Sequence, residues 1–186
     1  MKLELKNTLE SLNNLAVILY PTDTVWGLGC DATDEVAVKK IYEIKNRAES
    51  KSLVILVDGI EMLKRYIEDI PQKAIQVIED SYKPTTIIYN NPKGLANNLI
   101  AHDNTIAIRI VQDEFCQQLI KKFGRPIVST SANISERPTP NSFEEIELPI
   151  LNAVDYIVNL HHNKMMTTPS RIIRILNGGA LEVIRE

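Results

Sequence analysis

Residues 20–47, YPTDTVWGLGCDATDEVAVKKIYEIKNR, decide the fold. They overlap the end of the apolar run Leu15–Tyr20, which predicts a buried strand, and the chain leaves that strand through hydroxyls and glycines. Asp34 or Thr33 can then cap a helix. The apolar face of that helix would consist of Ala37, Ile41 and Ile44. A strand, a polar turn and a helix in this order predict an α/β unit.

The same alternation continues along the chain. Further apolar runs predict strands at Leu53–Val57, Thr85–Tyr89, Thr105–Val111, Pro126–Thr130 and Tyr156–Leu160. Helices are predicted from Pro71 to about Glu79, and from a cap at Asp113 to a stop at Gly124. The last 16 residues, RIIRILNGGALEVIRE, predict a hairpin that turns at Asn177-Gly178-Gly179. We therefore expect a single α/β domain over residues 1–186.

The composition is that of an ordinary globular protein, with 44% hydrophobic and 24% charged residues. A core of normal size needs no disulfide or metal, and Cys30 and Cys116 belong to no paired motif, so we expect two buried free thiols. No apolar run reaches the roughly 20 residues of a membrane span, and the N-terminus lacks a signal-peptide centre. We expect a cytoplasmic protein without membrane contacts. The net charge of −3 argues against a general nucleic-acid coat, but cations concentrate in residues 39–51.

Two polar segments follow predicted strands. Residues 129–133 read STSAN and place hydroxyls and an amide at a strand end, where open α/β sheets bind ligands. Thr22 and Thr24 follow the first strand, and Gly27 and Gly29 would let the backbone pass close to a ligand. Taken singly, each segment also fits an ordinary turn.

Two groups of cations complete the candidates. Lys45, Arg47 and Lys51 could converge on an anion if the helix ends before them and the chain becomes extended; otherwise they form a solvated basic turn. Arg109 lies within an apolar strand, where an arginine is costly unless it pairs with an anion. That anion is either a ligand or a structural carboxylate, and both alternatives stay open.

Several well-known sites are missing from the sequence. It contains neither G-x-x-x-x-G-K-[ST] nor G-x-G-x-x-G, and no His/Cys spacing typical of a metal site. We interpret His161 and His162 as a surface pair. Ser129 and Ser131 lack a His/Asp relay, which argues against acyl-enzyme hydrolysis. Residues 135–148, SERPTPNSFEEIEL, predict a surface loop with a short helix, which is a candidate lid.

Taken together and in order, these segments resemble a known family. The segments YPTDTVWGLGCDA, K-x-R, IAIRI, STSAN and PSRII occur here in the order seen in YrdC-like threonylcarbamoyl-AMP synthases. The resemblance covers nearly the whole chain and is to the short, single-domain bacterial form. It implies a twisted, mixed α/β sheet that is flanked by helices and surrounds a concave, positively charged cleft.

The family joins L-threonine, bicarbonate and ATP into threonylcarbamoyl-AMP and releases pyrophosphate, with Mg²⁺ held mainly through the ATP phosphates. The product feeds threonylcarbamoyladenosine formation in tRNA. The resemblance therefore implies a nucleotidyltransferase without a metal held by the protein. It also makes tRNA or double-stranded RNA, and a downstream threonylcarbamoyl transferase complex, candidate partners.

The resemblance also implies roles for individual residues. The ATP would be bound by Lys45, Arg47, Lys51, Thr105, Ser131, Asn133, Thr139 and Arg185. The threonine would be bound by Thr22, Thr24, Arg109, Ser129 and Ser170. Arg109 suits the threonine carboxylate because a guanidinium can bind it with two bonds. Catalysis would come from electrostatic positioning rather than from a covalent enzyme intermediate.

The chain departs from the family pattern at three places. Residues 82–86, YKPTT, stand where Pro-Gly-Pro-x-Thr is common, and Glu136 replaces a glycine. The strand after K-x-R has no histidine. We expect the side of the cleft near these residues to be built differently.

Two other interpretations were weighed. A carbamoyl-AMP-forming domain of the hydrogenase-maturation type normally sits in a longer chain with zinc-finger cysteines, which two isolated cysteines do not match. A non-catalytic, RNA-binding paralogue belongs to a different class. Such paralogues tend to lose K-x-R and S-A-N, and both motifs are present here.

Overall fold

The structure is a computed structural model that describes residues 1–49, 52–176 and 178–186. Its helices are α1 (Lys2–Asn13), α2 (Glu35–Ile44), α3 (Ile60–Tyr66), α4 (Gln72–Asp80), α5 (Glu114–Phe123) and α6 (Leu148–Ala153). Its strands are β1 (Ile18–Tyr20), β2 (Gly27–Gly29), β3 (Val54–Val57), β4 (Thr85–Asn90), β5 (Thr105–Ile110), β6 (Ile127–Ser131), β7 (Tyr156–Ile157), β8 (Arg171–Ile175) and β9 (Leu181–Arg185).

One mixed sheet organises the described part of the chain. Its strands lie in the order β7-β1-β2-β6-β3-β5-β4-β8-β9. The pairs β1/β7, β3/β5 and β4/β8 are parallel, and the other neighbouring pairs are antiparallel. The predicted α/β fold with a mixed sheet flanked by helices is confirmed. None of the described helices is long and apolar enough to cross a membrane.

The predicted helix caps are also confirmed. Asp34 Oδ1 accepts a hydrogen bond from Ala37 N at 2.8 Å, and Asp113 Oδ1 accepts one from Cys116 N at 2.9 Å. Gly124 ends α5 in the left-handed conformation, with φ of 75°. Cys30 and Cys116 are buried free thiols, as expected. The hairpin β8–β9 is present, although the predicted turn residue Asn177 lies outside the described residues.

The first predicted strand was too long. It begins at Ile18 because α1 occupies the preceding chain, and Leu15 takes a left-handed φ of 56° where the helix ends. The helices α1 and α3 were not predicted. The 156–160 strand shortens to the two-residue β7, which pairs with β1.

The interpretation of Gly27 and Gly29 as a ligand-side turn was wrong in part. Both residues belong to β2, a strand that pairs with β1 and with β6. A Cβ added at Gly29 would lie 2.6 Å from Tyr20 Cε1 and 2.8 Å from the Val128 carbonyl oxygen. Gly29 therefore makes room for the buried Tyr20 ring and the neighbouring backbone, because no side chain fits between them.

We expect Gly29→Ala to lower the free energy of unfolding by about 1–3 kcal/mol, because the new methyl group would overpack the sheet. Gly27→Ala is the matched control in the same strand, since its Cβ would meet nothing closer than 3.4 Å. Urea unfolding of both variants measures the difference. Equal stability of the two variants would contradict the steric role of Gly29.

Candidate functional site

A cleft of about 460 Å³ lies on one face of the sheet. Eight residues that the sequence analysis singled out line it: Thr24, Arg47, Arg109, Ser129, Ser131, Thr139, Ser170 and Arg185. The lining comes from the turn before β2, the end of α2, the strands β3, β5, β6, β8 and β9, and two loops. Residues far apart in sequence are thus brought to one cavity. The described lining contains three arginines and no Asp or Glu.

Arg109 is the deepest cation of the cleft. It lies in β5 with a side chain 5% exposed, and its Nη2 is 3.1 Å from Oδ1 of Asp23, whose side chain is 9% exposed. The contact is an ion pair without good hydrogen-bond alignment, and Arg109 Nε has no hydrogen-bond acceptor among the described residues. The salt bridge between Arg109 and Asp23 is therefore present, and Arg109 Nε remains as a donor for a second anion.

Asp23 was missed by the sequence analysis. Its other oxygen, Oδ2, accepts a hydrogen bond from Gln112 N at 3.0 Å, so the carboxylate ties the turn after β1 to the end of β5. A signal was present: Arg109 in an apolar strand requires a carboxylate, and Asp23 lies in an otherwise uncharged segment between Leu15 and Cys30.

The two threonines of the same turn have different environments. Thr24 lines the cleft, whereas Thr22 is 2% exposed and is not among the lining residues. Thr22 Oγ1 lies 2.8 Å from the Val25 carbonyl oxygen and 3.0 Å from Thr24 Oγ1, and it accepts from Thr24 N at 3.1 Å. Thr22 therefore shapes the turn that presents Thr24.

Lys45 and Arg47 point to different places. The helix α2 ends at Ile44, which meets the first condition for convergence, but the chain does not simply become extended, because Asn46 takes φ of 48°. Arg47 N donates to the Tyr42 carbonyl and Asn46 N to the Glu43 carbonyl, which is the pattern of a Schellman motif. Arg47 lines the cleft, whereas Lys45 is 1% exposed and does not. Lys51 lies outside the described residues.

Burial lowers the pKa of both cations. Removal from water, followed by repulsion from Arg47, lowers the pKa of Lys45 to about 7. Burial also lowers the pKa of Arg47.

Asn133 lies beneath the end of β6 rather than along the cleft lining. Its Nδ2 donates to the carbonyl oxygens of Ile134 at 3.0 Å and Arg137 at 2.7 Å. Both amide protons are therefore engaged in the following turn, and Oδ1 has no partner among the described residues. The predicted phosphate contact of Asn133 stays a prediction.

Arg185 reaches the cleft through an irregularity in β9. Val183 pairs with Ile173, but Ile172 pairs with Arg185, so Ile184 is the extra residue of a β-bulge. Because paired residues share a face, the bulge places Arg185 on the cleft side with Ile172. Its guanidinium donates to the Ser170 carbonyl from Nε at 3.0 Å and from Nη2 at 2.6 Å. Burial, and then repulsion from Arg109, lowers its pKa.

Residues 135–148 form the wall opposite the sheet. They contain a 3₁₀ turn, Phe143–Glu145, as the predicted short helix, and Thr139 and Asn141 line the cleft. The Phe143 ring stacks on His162 at 3.8 Å and packs against the buried Trp26 at 5.1 Å. The interpretation of His162 as a surface residue was wrong, because it is half-buried in this aromatic cluster. Movement of the wall stays a prediction.

Two further cavities bear on the site. Thr105 lines a recess of about 310 Å³ that shares Ser52 with the cleft. A cavity of about 470 Å³ lies between α4 and the β8–β9 edge, and its lining contains none of the predicted site residues. We place the functional site in the 460 Å³ cleft because the candidate residues converge there. Among the described residues, no cluster of three His, Cys, Asp or Glu could hold a metal ion.

The comparisons with known proteins agree with this geometry. The Sua5_yciO_yrdC family model, described as "Telomere recombination", matches residues 10–186. A threonylcarbamoyl-AMP synthase of Idiomarina loihiensis is 33% identical over 164 residues, which cover 87% of this chain and 88% of that protein. The synthase of Pseudoalteromonas translucida is 36% identical over 168 residues, with the same coverage.

Solved structures show the same fold. Sua5 of P. abyssi in complex with L-threonine matches with a TM-score of 0.85 and 26% identity over 97% of this chain. The chain spans about half of that longer protein, 53% of its length. E. coli YciO matches with a TM-score of 0.86 and 24% identity over 100% of this chain and 90% of its own, which supports the fold alone.

We expect Asp23→Ala to lower the free energy of unfolding by about 3–5 kcal/mol, because it leaves the Arg109 guanidinium buried without its carboxylate. Glu61→Ala is the control: it removes a carboxylate 2.8 Å from Lys64 in an exposed pair, and we expect no measurable change. Guanidinium unfolding measures both variants. An Asp23→Ala protein as stable as the control would show that the pair does not hold Arg109.

Proposed function

This chain belongs to the Sua5/YciO/YrdC family, and we propose that it is an L-threonylcarbamoyladenylate synthase. The observation that carries the proposal is the cleft itself. It gathers hydroxyls and three arginines from eight separate segments, with no Asp or Glu among the described lining residues. Such a lining suits two anionic substrates that must be brought together.

The threonine end of the proposed site is centred on Arg109. Its Nε has no acceptor among the described residues and belongs to a cleft-lining side chain, so a substrate carboxylate can accept a charge-assisted bond from it. Thr24, Ser129 and Ser170 lie in the same lining and would bind the amino and hydroxyl groups. Support for the amino acid comes from the related Sua5, which is described as a complex with L-threonine.

The ATP end lies toward Arg47 and Ser131. Arg47, Ser131 and Thr139 line the cleft, and the adjoining recess with Thr105 offers room for the nucleoside. Arg185, which is bonded to Ser170, would contact the nucleotide from the threonine side. The lining contains no described carboxylate to hold a metal. A Mg²⁺ ion that binds through the phosphates and water fits this lining, because Mg²⁺ commonly keeps several waters. When bound, it would neutralise charge on the triphosphate.

The reaction requires one anion to attack another. A carbamate oxygen of N-carboxylated threonine attacks the α-phosphorus of ATP, a new P–O bond forms, and the bond to the β-phosphate oxygen breaks to release pyrophosphate. The arginines would offset the repulsion between carbamate and triphosphate and hold the attacking oxygen in line with the leaving group. Rate enhancement would come from this positioning, without a covalent bond to the enzyme.

The product is an activated acyl-adenylate, so a downstream transferase that acts on tRNA is the proposed consumer. Direct tRNA or double-stranded RNA contact and a cytoplasmic location belong to the same proposal. The non-catalytic, RNA-binding alternative is less well supported, because the curated relatives at 33% and 36% identity are named as synthases.

The test is an assay of purified protein with ATP, Mg²⁺, bicarbonate and labelled threonine. We expect pyrophosphate release that requires both threonine and bicarbonate, together with a labelled adenylate. We expect Arg47→Ala to lower turnover by about 100-fold or more, because it removes a cation held at the phosphate end. Lys64→Ala, on the exposed surface of α3, is the control. Pyrophosphate release that does not depend on threonine would contradict the proposal.

The bulge in β9 gives a sharper prediction for Arg185. We expect Arg185→Ala to lower kcat/KM for ATP by about 10–100-fold, the value of one or two hydrogen bonds from a charged group. The double variant Ile184→Arg/Arg185→Ala should not recover activity, because residue 184 is the unpaired bulge residue. Deletion of Ile184 should preserve activity within about tenfold, since Arg185 stays opposite Ile172.

The control for Arg185 is Arg171→Ala in β8, whose guanidinium pairs with Glu186 and lines the other cavity. We expect it to leave kcat/KM unchanged. Recovery of activity in Ile184→Arg/Arg185→Ala would show that β9 pairs without the bulge.

A further inference from the structure

The K-x-R motif contains two cations, and the structure separates them. Lys45 is the C-cap residue of α2, and its side chain is buried with 1% exposure. Arg47, two residues later, lines the cleft. The left-handed Asn46 between them turns the chain, so the two side chains leave the helix end in different directions.

The Lys45 ammonium is bonded to backbone. Nζ donates to the carbonyl oxygens of Ser131 and of Asn133, the latter at 2.7 Å. The main chain of Lys45 adds a third tie, because its carbonyl accepts from Ser135 N at 2.8 Å. Side chain and backbone of one residue thus bind three points of residues 131–135, the turn that follows β6.

The sheet and the turn itself supply its other bonds: Ser131 pairs with Gly27, and Ala132 N donates to the Trp26 carbonyl at 3.0 Å. Asn133 N donates to the Ser131 carbonyl, and the Asn133 amide bonds to two carbonyls farther along the turn. The Ser131 and Asn133 carbonyls at its base also accept from Lys45 Nζ. Without Lys45 the Ser131 carbonyl would keep the bond from Asn133 N, whereas the Asn133 carbonyl would lose its bond from Nζ. Lys45 therefore helps to place the part of the turn that follows Ser131, the cleft-lining residue at its start.

We propose that Lys45 is a positioning residue that fixes the turn at residues 131–135 and does not itself contact the triphosphate, a contact that the proposed function assigns to Arg47. The proposal rests on the proposed function for the identity of the anion, whereas the role of Lys45 in the turn does not. Nζ is bonded to two carbonyls, and the Lys45 side chain, which is 1% exposed, is not among the residues that line the cleft.

The first test compares Lys45→Met with Arg47→Met in the protein without nucleotide. Methionine keeps the length of the lysine stem and removes its donors. We expect amide hydrogen exchange in residues 131–137 to rise about tenfold or more in Lys45→Met, since two buried hydrogen bonds are lost. Arg47→Met should leave this exchange within about twofold of the parent protein. Unchanged exchange in Lys45→Met would overturn the proposal.

The second test needs no substitution, so it remains valid if Lys45→Met fails to fold. An amine-acylating reagent applied to the native protein should modify Lys45 at least about tenfold more slowly than Lys39, whose side chain is 65% exposed. The ratio should be the same with and without ATP and Mg²⁺. Rapid modification of Lys45 that ATP suppresses would identify it as a phosphate ligand and overturn the proposal.

A third measurement links the turn to ligand binding. If Lys45 acts through the turn, the double variant Lys45→Met/Asn133→Ala should bind ATP less than about twofold more weakly than Lys45→Met alone. The reason is that both substitutions disorder the same turn. Adding Asn133→Ala to Arg47→Met should multiply the two effects. Multiplicative effects in both pairs would contradict the proposal. Hydrogen exchange and acylation do not depend on enzymatic activity. A negative result in these two experiments can therefore be distinguished from a negative result in the synthase assay.

Discussion

The cleft depends on one constraint, the burial of cations in the interior of a sheet. A guanidinium in the middle of an apolar strand is stable only if a partner is fixed beside it. For Arg109 the partner is Asp23, which reaches across from the turn after β1 and also accepts from Gln112 N. The turn that carries the threonines and the strand that carries the arginine are therefore held together by one carboxylate. The cleft floor would lose its geometry without it.

Two other cations, Arg185 and Lys45, are bonded to backbone carbonyls. Arg185 donates to the Ser170 carbonyl, and Lys45 donates to those of Ser131 and Asn133. A carbonyl fixes the position of a cation without cancelling its charge, whereas a carboxylate does both. Asp23 therefore differs from these carbonyls, in that it offsets part of the charge of Arg109. The carbonyl of Ser170 leaves the charge of Arg185 available for an anion.

The sequence was informative where a local rule determines the structure. Caps at Asp34, Asp113 and Gly124 follow from local hydrogen bonds and φ preferences, and the apolar strands follow from burial. Five of the eight residues that meet in the cleft were found from strand ends and cationic positions, whereas Thr139, Ser170 and Arg185 were indicated only by the family resemblance. The predictions that were wrong concern contacts between distant residues. The sequence of β2 resembles a glycine turn, because the reason for Gly29 is the Tyr20 ring on the neighbouring strand.

The same distinction explains why the roles within K-x-R could not be read from spacing. Sequence spacing shows that Lys45 and Arg47 do not share one helix face. The direction of each side chain, however, depends on the left-handed Asn46 and on carbonyls nearly 90 residues away. Burial, followed by repulsion from Arg109, lowers the pKa of Arg185, so the two charges lie close enough to oppose each other in the free protein. An anion bound between them removes that opposition. Part of the affinity for an anionic substrate would therefore arise from the fold, which holds like charges near each other through neutral acceptors.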